Sequence, residues 1–288
     1  MNDQAENLRR LVEPGQSEGA KVVAVVSGKG GVGKSNVCLN FAISLSRMQK
    51  RVAIIDLDIG MANIDILMGV SPSYHIMDLL EGGLSIWDII EEGPAGIAYI
   101  AGGSGFSEFI QLDEIKMERF FNQLELIGTH FDYIFLDMGA GATKSSIQFV
   151  MAADDVFVVT TPEPPAITDA YAMVKYIYLH EKDKPTYLIA NRVESEKEGL
   201  RTLTSFKKVA GQFLQKDVFT LGSIPFDHTV MKAVKAQIPF VLMNEKGAAS
   251  KALQHLAATY LGKNEERPTT FGHFIHKVRH LFKKERQG

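Results

Sequence analysis

The chain has 288 residues, 45% of them hydrophobic and 23% charged, with 31 basic against 34 acidic side chains and a formal net charge of -3. That length supports a full-sized core in one large domain or two small ones, and the mildly acidic balance gives no global sign of nucleic-acid binding. The single cysteine excludes an intramolecular disulfide, no run of 18 apolar residues is present to span a bilayer, and the polar N-terminus carries no secretory h-region, so a cytoplasmic protein is expected.

Residues 1–19 are polar and are broken by Pro14 and Gly15. Leu8, Leu11 and Val12 could share one face of a short helix, but the composition is that of a flexible tail. Lys21 to Ser27, KVVAVVS, is a short β-branched run that reads as a strand. Directly after it comes Gly28-Lys29-Gly30-Gly31-Val32-Gly33-Lys34-Ser35. Glycines at this spacing let backbone N–H groups close around an anion, and the following helix points its positive dipole end at the same place. Lys34 is positioned to reach β and γ phosphates and Ser35 to ligate Mg²⁺, with Asn36 beside them on the nucleotide side. Lys29 is an additional lysine that a phosphate loop does not need. The stretch to Met48 carries Val37, Leu39, Phe41, Ala42 and Leu45 in a pattern compatible with a packed helix, and Cys38 reads as a small buried apolar residue.

Further strand-like runs follow at Val52–Leu57, Ile97–Ile100, Tyr133–Leu136, Val156–Thr161, Thr186–Ala190 and Val218–Ile224, alternating with helical stretches. Trp87, in LSIWDII, reads as a core residue. This alternation predicts an α/β fold, a mostly parallel doubly wound sheet of P-loop NTPase type. Ligands of such sheets lie beyond the carboxyl ends of the strands, where four sites qualify. Asp56 and Asp58 end one strand and Asp137 another; Asp137 suits an acid that holds Mg²⁺, and Asp58 one that serves the metal and orients the attacking water. Asn191 and Arg192 follow a third strand, where the amide could read an adenine edge. Pro225, Phe226 and Asp227 follow the last and are expected to line the base pocket. His75, His130, His180 and His228 have no zinc-like spacing.

The two lysines of the loop, the Asp56-Leu57-Asp58-Ile59-Gly60 block, Asn63-Ile64-Asp65 and Ile224-Pro225 together resemble the deviant-Walker-A ATPases of the MinD/ParA family. The likeness covers nearly the whole core. It implies hydrolysis of ATP with Mg²⁺ by a homodimer that forms when ATP is bound. It further implies that Lys29 acts across the dimer on the partner's phosphates, that Asp58 activates the water, and that Asp137 opens a switch. Where many relatives have a proline after that aspartate, this chain reads Met138-Gly139-Ala140-Gly141-Ala142, a looser segment. That variant, with the N-terminal DQAENLR, is similar to the FlhG (YlxH/FleN) branch, the regulators of flagellar number and placement. The branch implies that residues 1–19 stimulate the flagellar GTPase FlhF, with Gln4 and Leu8 as contacts, and that flagellar basal-body (C-ring) proteins are further partners.

A linker, 263–270, containing Pro268, separates the domain over 20–262 from a last stretch, 271–288. There Phe271, Phe274, Ile275, Val278, Leu281 and Phe282 recur at helical spacing, and Lys277, Arg279, Lys283, Lys284 and Arg286 supply positive charge. This is the pattern of an interfacial helix on anionic membrane lipids. The same pattern also describes a helix docked on the protein's own core, and the two readings are compatible if ATP controls release. The expected location is therefore the cytoplasm, peripheral on the inner face of the cell membrane in the ATP-bound state. Exposed bases such as Arg201, Lys207, Lys208, Lys232 and Lys235 keep a rival reading open, a ParA-type partition ATPase that binds DNA non-specifically, although no specific nucleic-acid partner is expected.

Overall fold

At the centre of the computed structural model lies β1 (Lys21–Val26), in which every residue is buried. A strand enclosed on both faces must be apolar throughout rather than alternating, and KVVAVV meets that demand apart from the lysine at its start. Val22, Ala24 and Val26 enter one apolar layer and Val23 and Val25 the other, as the two-residue pleat requires. The structure describes residues 19–58, 63–81, 83–102, 114–139, 141, 144–263 and 271–287.

β1 pairs in parallel with β5 (Tyr133–Met138) on one side and β6 (Asp155–Thr160) on the other. Beyond β5 come β2 (Val52–Leu57), β4 (Ala98–Ile100) and the antiparallel edge strand β3 (Ile90–Glu92). Beyond β6 come β7 (Thr186–Val193) and β8 (Phe219–Pro225), for an eight-stranded order β3-β4-β2-β5-β1-β6-β7-β8. Each strand read from the sequence is present, within a few residues of its expected bounds. β3 has no counterpart in that reading, because three residues with two acids carry no strand pattern of their own and pairing with β4 alone makes them one.

One face of the sheet is covered by α3 (Ile76–Glu81), α4 (Ile86–Ile89), α5 (Glu114–Ile127), α6 (Lys144–Ala152), α7 (Pro164–His180) and α8 (Glu196–Leu214). The other is covered by α1 (Lys34–Arg47), α2 (Ile64–Met68), α9 (His228–Ala236), α10 (Phe240–Met243) and α11 (Ala248–Lys263). Under the second layer, Tyr260 meets Phe41, Phe157 and Tyr187 at centroid distances of 5.9, 4.9 and 5.5 Å. Its hydroxyl donates to Asp155 Oδ2 at 2.7 Å, where Lys21 Nζ also stands at 2.8 Å. This buried trio pins the amino ends of β1 and β6 to α11.

The last helix, α12 (Phe271–Gln287), forms where the periodicity places it, but its apolar face is not offered to solvent. Phe271, Phe274, Ile275, Val278 and Phe282 are buried in the first layer, with Leu281 half-buried at its margin. The reason lies in α5 and α6, whose own apolar faces supply the matching surface: Phe282 lies 6.1 Å from Phe121 and 5.6 Å from Phe149, ring to ring. Of the two readings of this stretch, an interfacial helix and a helix docked on the chain's own core, this conformation has the docked one at these six residues. Trp87 packs against the same layer, edge-on to His130 at 4.6 Å.

Candidate functional site

All strands but β3 run in parallel, so the loops after β1, β2, β5, β7 and β8 emerge along one edge and converge there. The loop after β1 is held from two sides. At Gly28 an added Cβ would stand 2.1 Å from the Asp169 carbonyl carbon, so the loop lies directly on the backbone of α7. At Gly33, φ is +90° and an added Cβ would fall 2.5 Å from Asn191 Nδ2, so glycine is required for both conformation and space. Asn191 Nδ2 in turn donates to the Val32 carbonyl at 2.8 Å. Lys34 opens α1, and the helix aims its unpaired N–H groups into the turn.

Lys34 Nζ donates to Asp137 Oδ1 at 2.7 Å and to Ser35 Oγ at 3.1 Å, and lies 3.7 Å from Asp58 Oδ2. Burial works against its charge, but Asp137 and then Asp58 outweigh burial and hold the ammonium above its usual pKa. Asp137 is fully buried, and that burial raises its carboxyl pKa despite Lys34. Its second oxygen, Oδ2, is buried without a hydrogen-bond partner. Asp56 is also fully buried and is pushed up to about 7, first by desolvation and then by the charge of Asp137. Its Oδ1 accepts from the Asp58 N–H at 2.9 Å and its Oδ2 from the Asn63 N–H at 3.4 Å, so it fixes the backbone on which Asp58 stands. Cys38 is buried one turn along α1, and desolvation lifts its thiol pKa well above the ordinary value.

Among the described residues no group of three His, Cys, Asp or Glu side chains could by itself hold a metal. Mg²⁺ does not ask for one, since it keeps several waters and takes one or two carboxylates or hydroxyls beside phosphate oxygens. The orphaned Asp137 Oδ2 and the neighbouring Ser35 hydroxyl fit that requirement.

Beside the loop, a cleft of about 360 Å³ is lined by Gly33, Asn36, Asn191, Arg192, Pro225 and Phe226, with Val230 and Val234 of α9 beyond them. Its walls are mostly apolar with a few polar groups at one end, the composition of a base pocket. Arg192 holds φ of 58° at a register break between β7 and β8, which turns its side chain out of the sheet toward the cleft.

A family model described as the CobQ/CobB/MinD/ParA nucleotide binding domain matches residues 23–240. The chain belongs to this family. It is 33% identical over 247 residues to the antiactivator FleN of Pseudomonas aeruginosa, spanning 86% of this chain and 88% of that protein. It is 34% identical over 274 residues to the flagellum site-determining protein YlxH of Helicobacter pylori, spanning 92% of each. Among solved structures, the MinC:MinD cell division complex of Aquifex aeolicus superposes with a TM-score of 0.69 at 25% identity, over 87% of this chain and 99% of that one.

Within this MinD/ParA-type site, Lys34, Ser35, Asp58 and Asp137 meet at the end of the loop that carries Gly30, Gly31, Val32 and Gly33, and Asn36, Asn191, Arg192, Pro225, Phe226 and Asp227 line the adjoining cleft. Lys29 is exposed and takes no part in the cluster around Lys34. Two of these residues also hold the frame of the site. The donor end of the Asn191 amide braces Val32, leaving its carbonyl for the cleft. The Asp227 carboxylate caps α9, accepting from Thr229 N at 2.8 Å, and ties α11 through Ala249 N at 3.3 Å. Asp56 is the residue that sequence reasoning left without a role; the signal was its i, i+2 spacing from Asp58, which puts both acids on one side of a strand end. Gln4 and Leu8 lie outside the described residues.

Proposed function

We propose that the protein is an ATP-dependent, dimerising and membrane-associating switch that hydrolyses ATP with Mg²⁺ and governs flagellar number and location. The observation that carries this reading is the division of labour between two lysines of one loop. Lys34 is buried within its own cluster, whereas Lys29 is exposed on the same loop with no carboxylate of that cluster to serve. A cation so placed acts where a second copy brings phosphates to it, so that loading and pairing become a single event. The names of the FleN and YlxH relatives support the flagellar setting.

In this mechanism the loop amides and Lys34 hold the β and γ phosphates, while Ser35 and Asp137 serve the metal. A magnesium ion held by Ser35 and Asp137 would supply positive charge against that of the phosphates. Lys34 exchanges its carboxylate partner for phosphate, which frees Asp137. Asp58, held by Asp56 at its own backbone N–H, orients the water. Phosphoryl transfer asks for placement and charge more than covalent work, and a site completed by its partner turns over slowly in isolation. The docked α12 is the reserve membrane anchor, and its release on ATP-driven pairing places two such helices on one particle, which multiplies their affinity. Residues 1–19 stimulate the GTPase FlhF, with Gln4 and Leu8 in contact; C-ring proteins are further partners.

Light scattering on size-fractionated wild type and Asp58→Ala, each with ATP and with ADP, tests the reading. A dimer with ATP that persists in Asp58→Ala, and a monomer with ADP, is the expected result; monomers throughout would overturn it. Liposome flotation with and without ATP, repeated after removal of 271–288, tests the anchor. Removal of 1–19 should spare ATP hydrolysis and abolish stimulation of FlhF.

A further inference from the structure

We propose that Glu181 is a latch through which the nucleotide loop controls the docking of α12, with α7 as the rigid connection between them. The inference rests on the nucleotide-binding reading above and names how that site is regulated.

At 1.5 Å per residue the 17 residues of α7 span about 25 Å. Near its amino end, the backbone at Asp169 and Ala170 lies so close to Gly28 that no side chain fits between. At its carboxyl end stands Glu181, whose N–H donates to the Ile177 carbonyl at 2.8 Å, so its backbone travels with the helix. Both of its carboxylate oxygens receive Lys277 Nζ of α12, at 2.9 and 2.7 Å. The same carboxylate lies 3.2 Å from Lys184 Nζ, which also donates to the carbonyl of Ala153 at the end of α6. One carboxylate therefore joins α7 to α12 directly and to the end of α6 through a buried lysine.

Burial of Phe271, Phe274, Ile275, Val278 and Phe282 supplies most of the attraction that holds α12. The half-exposed ion pair adds a smaller, directional component that depends on distance. A displacement of α7 of about an ångström, imposed when the loop closes on phosphates, draws Glu181 beyond hydrogen-bond reach of Lys277. Lys184, anchored on Ala153, tethers the same carboxylate to the end of α6 and so opposes smaller excursions. The latch thus sets the threshold at which the apolar face lets go.

Hydrogen exchange and ATP affinity, measured on the full chain, test both halves of the proposal in a double-mutant cycle. Without nucleotide, Glu181→Gln and Lys277→Gln should each speed exchange over 271–287 about threefold, and the pair together no more than either alone. Lys277→Glu, which replaces attraction by repulsion, should exceed about tenfold, with exchange in β1 and β5 unchanged. Because coupling is reciprocal, each variant should tighten ATP binding by the factor by which it eases release. Unchanged or additive exchange overturns the latch, and altered exchange with wild-type ATP affinity overturns the connection through α7. Failure of the wild type to bind ATP would overturn the nucleotide reading and the coupling, while the exchange cycle without nucleotide judges the latch separately.

Discussion

Lys34 Nζ and Asp137 Oδ1 stand 2.7 Å apart with both side chains buried, so each is the other's condition for carrying charge. Removing one partner of such a pair strands the other in a medium that cannot solvate it, at a cost of about 3–5 kcal/mol. Lys34→Met should therefore abolish ATP binding and also lower stability by about that amount in urea titrations. The double variant Lys34→Met/Asp137→Asn should recover most of the stability and none of the binding. Additive losses, with the double variant destabilised by the sum of Lys34→Met and Asp137→Asn measured singly, would show that the pair is not coupled.

Lys29 offers the opposite case, an exposed cation on the same loop. Its removal leaves no buried charge behind and no cluster broken. Lys29→Ala should change ATP affinity by less than about threefold. Yet light scattering should find it monomeric with ATP, and its hydrolysis should no longer rise with protein concentration.

Gly128 ends α5 under the first turn of α12, where an added Cβ would meet the Phe271 ring at 2.5 to 2.8 Å. Gly128→Val should force the ring out of its site at a cost of about 1–3 kcal/mol. The expected outcome is a lowered melting temperature, faster proteolysis within 271–287, and more protein on anionic liposomes in the absence of ATP. Loss of stability with unaltered flotation would separate the docking of α12 from membrane binding.

Lys184 gives a dependence on pH. Desolvation, opposed by Glu181, pushes its pKa down to about 8 from the ordinary 10.5. Between those values the unfolded chain binds the proton that the folded chain has released, so stability contributed by this site rises with pH. Below about pH 8 the buried ammonium is a standing cost. Urea titrations of wild type and Lys184→Met at pH 7 and pH 10 should show the wild type gaining on the variant as pH rises. A constant difference would mean that Lys184 titrates alike in both states.

The nucleotide end of the molecule is legible in the sequence because its demands are local. A β-branched strand, a glycine turn, a lysine and a helix are adjacent in the chain, and an acid at a strand end is placed by the strand itself. Asp56 and Asn191 are less legible, because their partners, Asn63 N–H and the Val32 carbonyl, are backbone groups whose positions follow from folding. The fate of α12 is not legible at all. Periodicity reveals that Phe274, Ile275 and Val278 share a face but is silent on what covers it. Only the pairing of that face with α5 and α6 decides the matter, and those surfaces lie more than a hundred residues away.

Cys38, sealed beneath the loop with its thiol held in the protonated form, is the chain's only sulfhydryl. Alkylating and crosslinking reagents act on thiolates they can reach, so the native fold is chemically silent toward them near neutral pH. A cysteine introduced at any exposed position will report alone. Should Cys38 itself begin to react, it announces that the floor of the nucleotide site has opened.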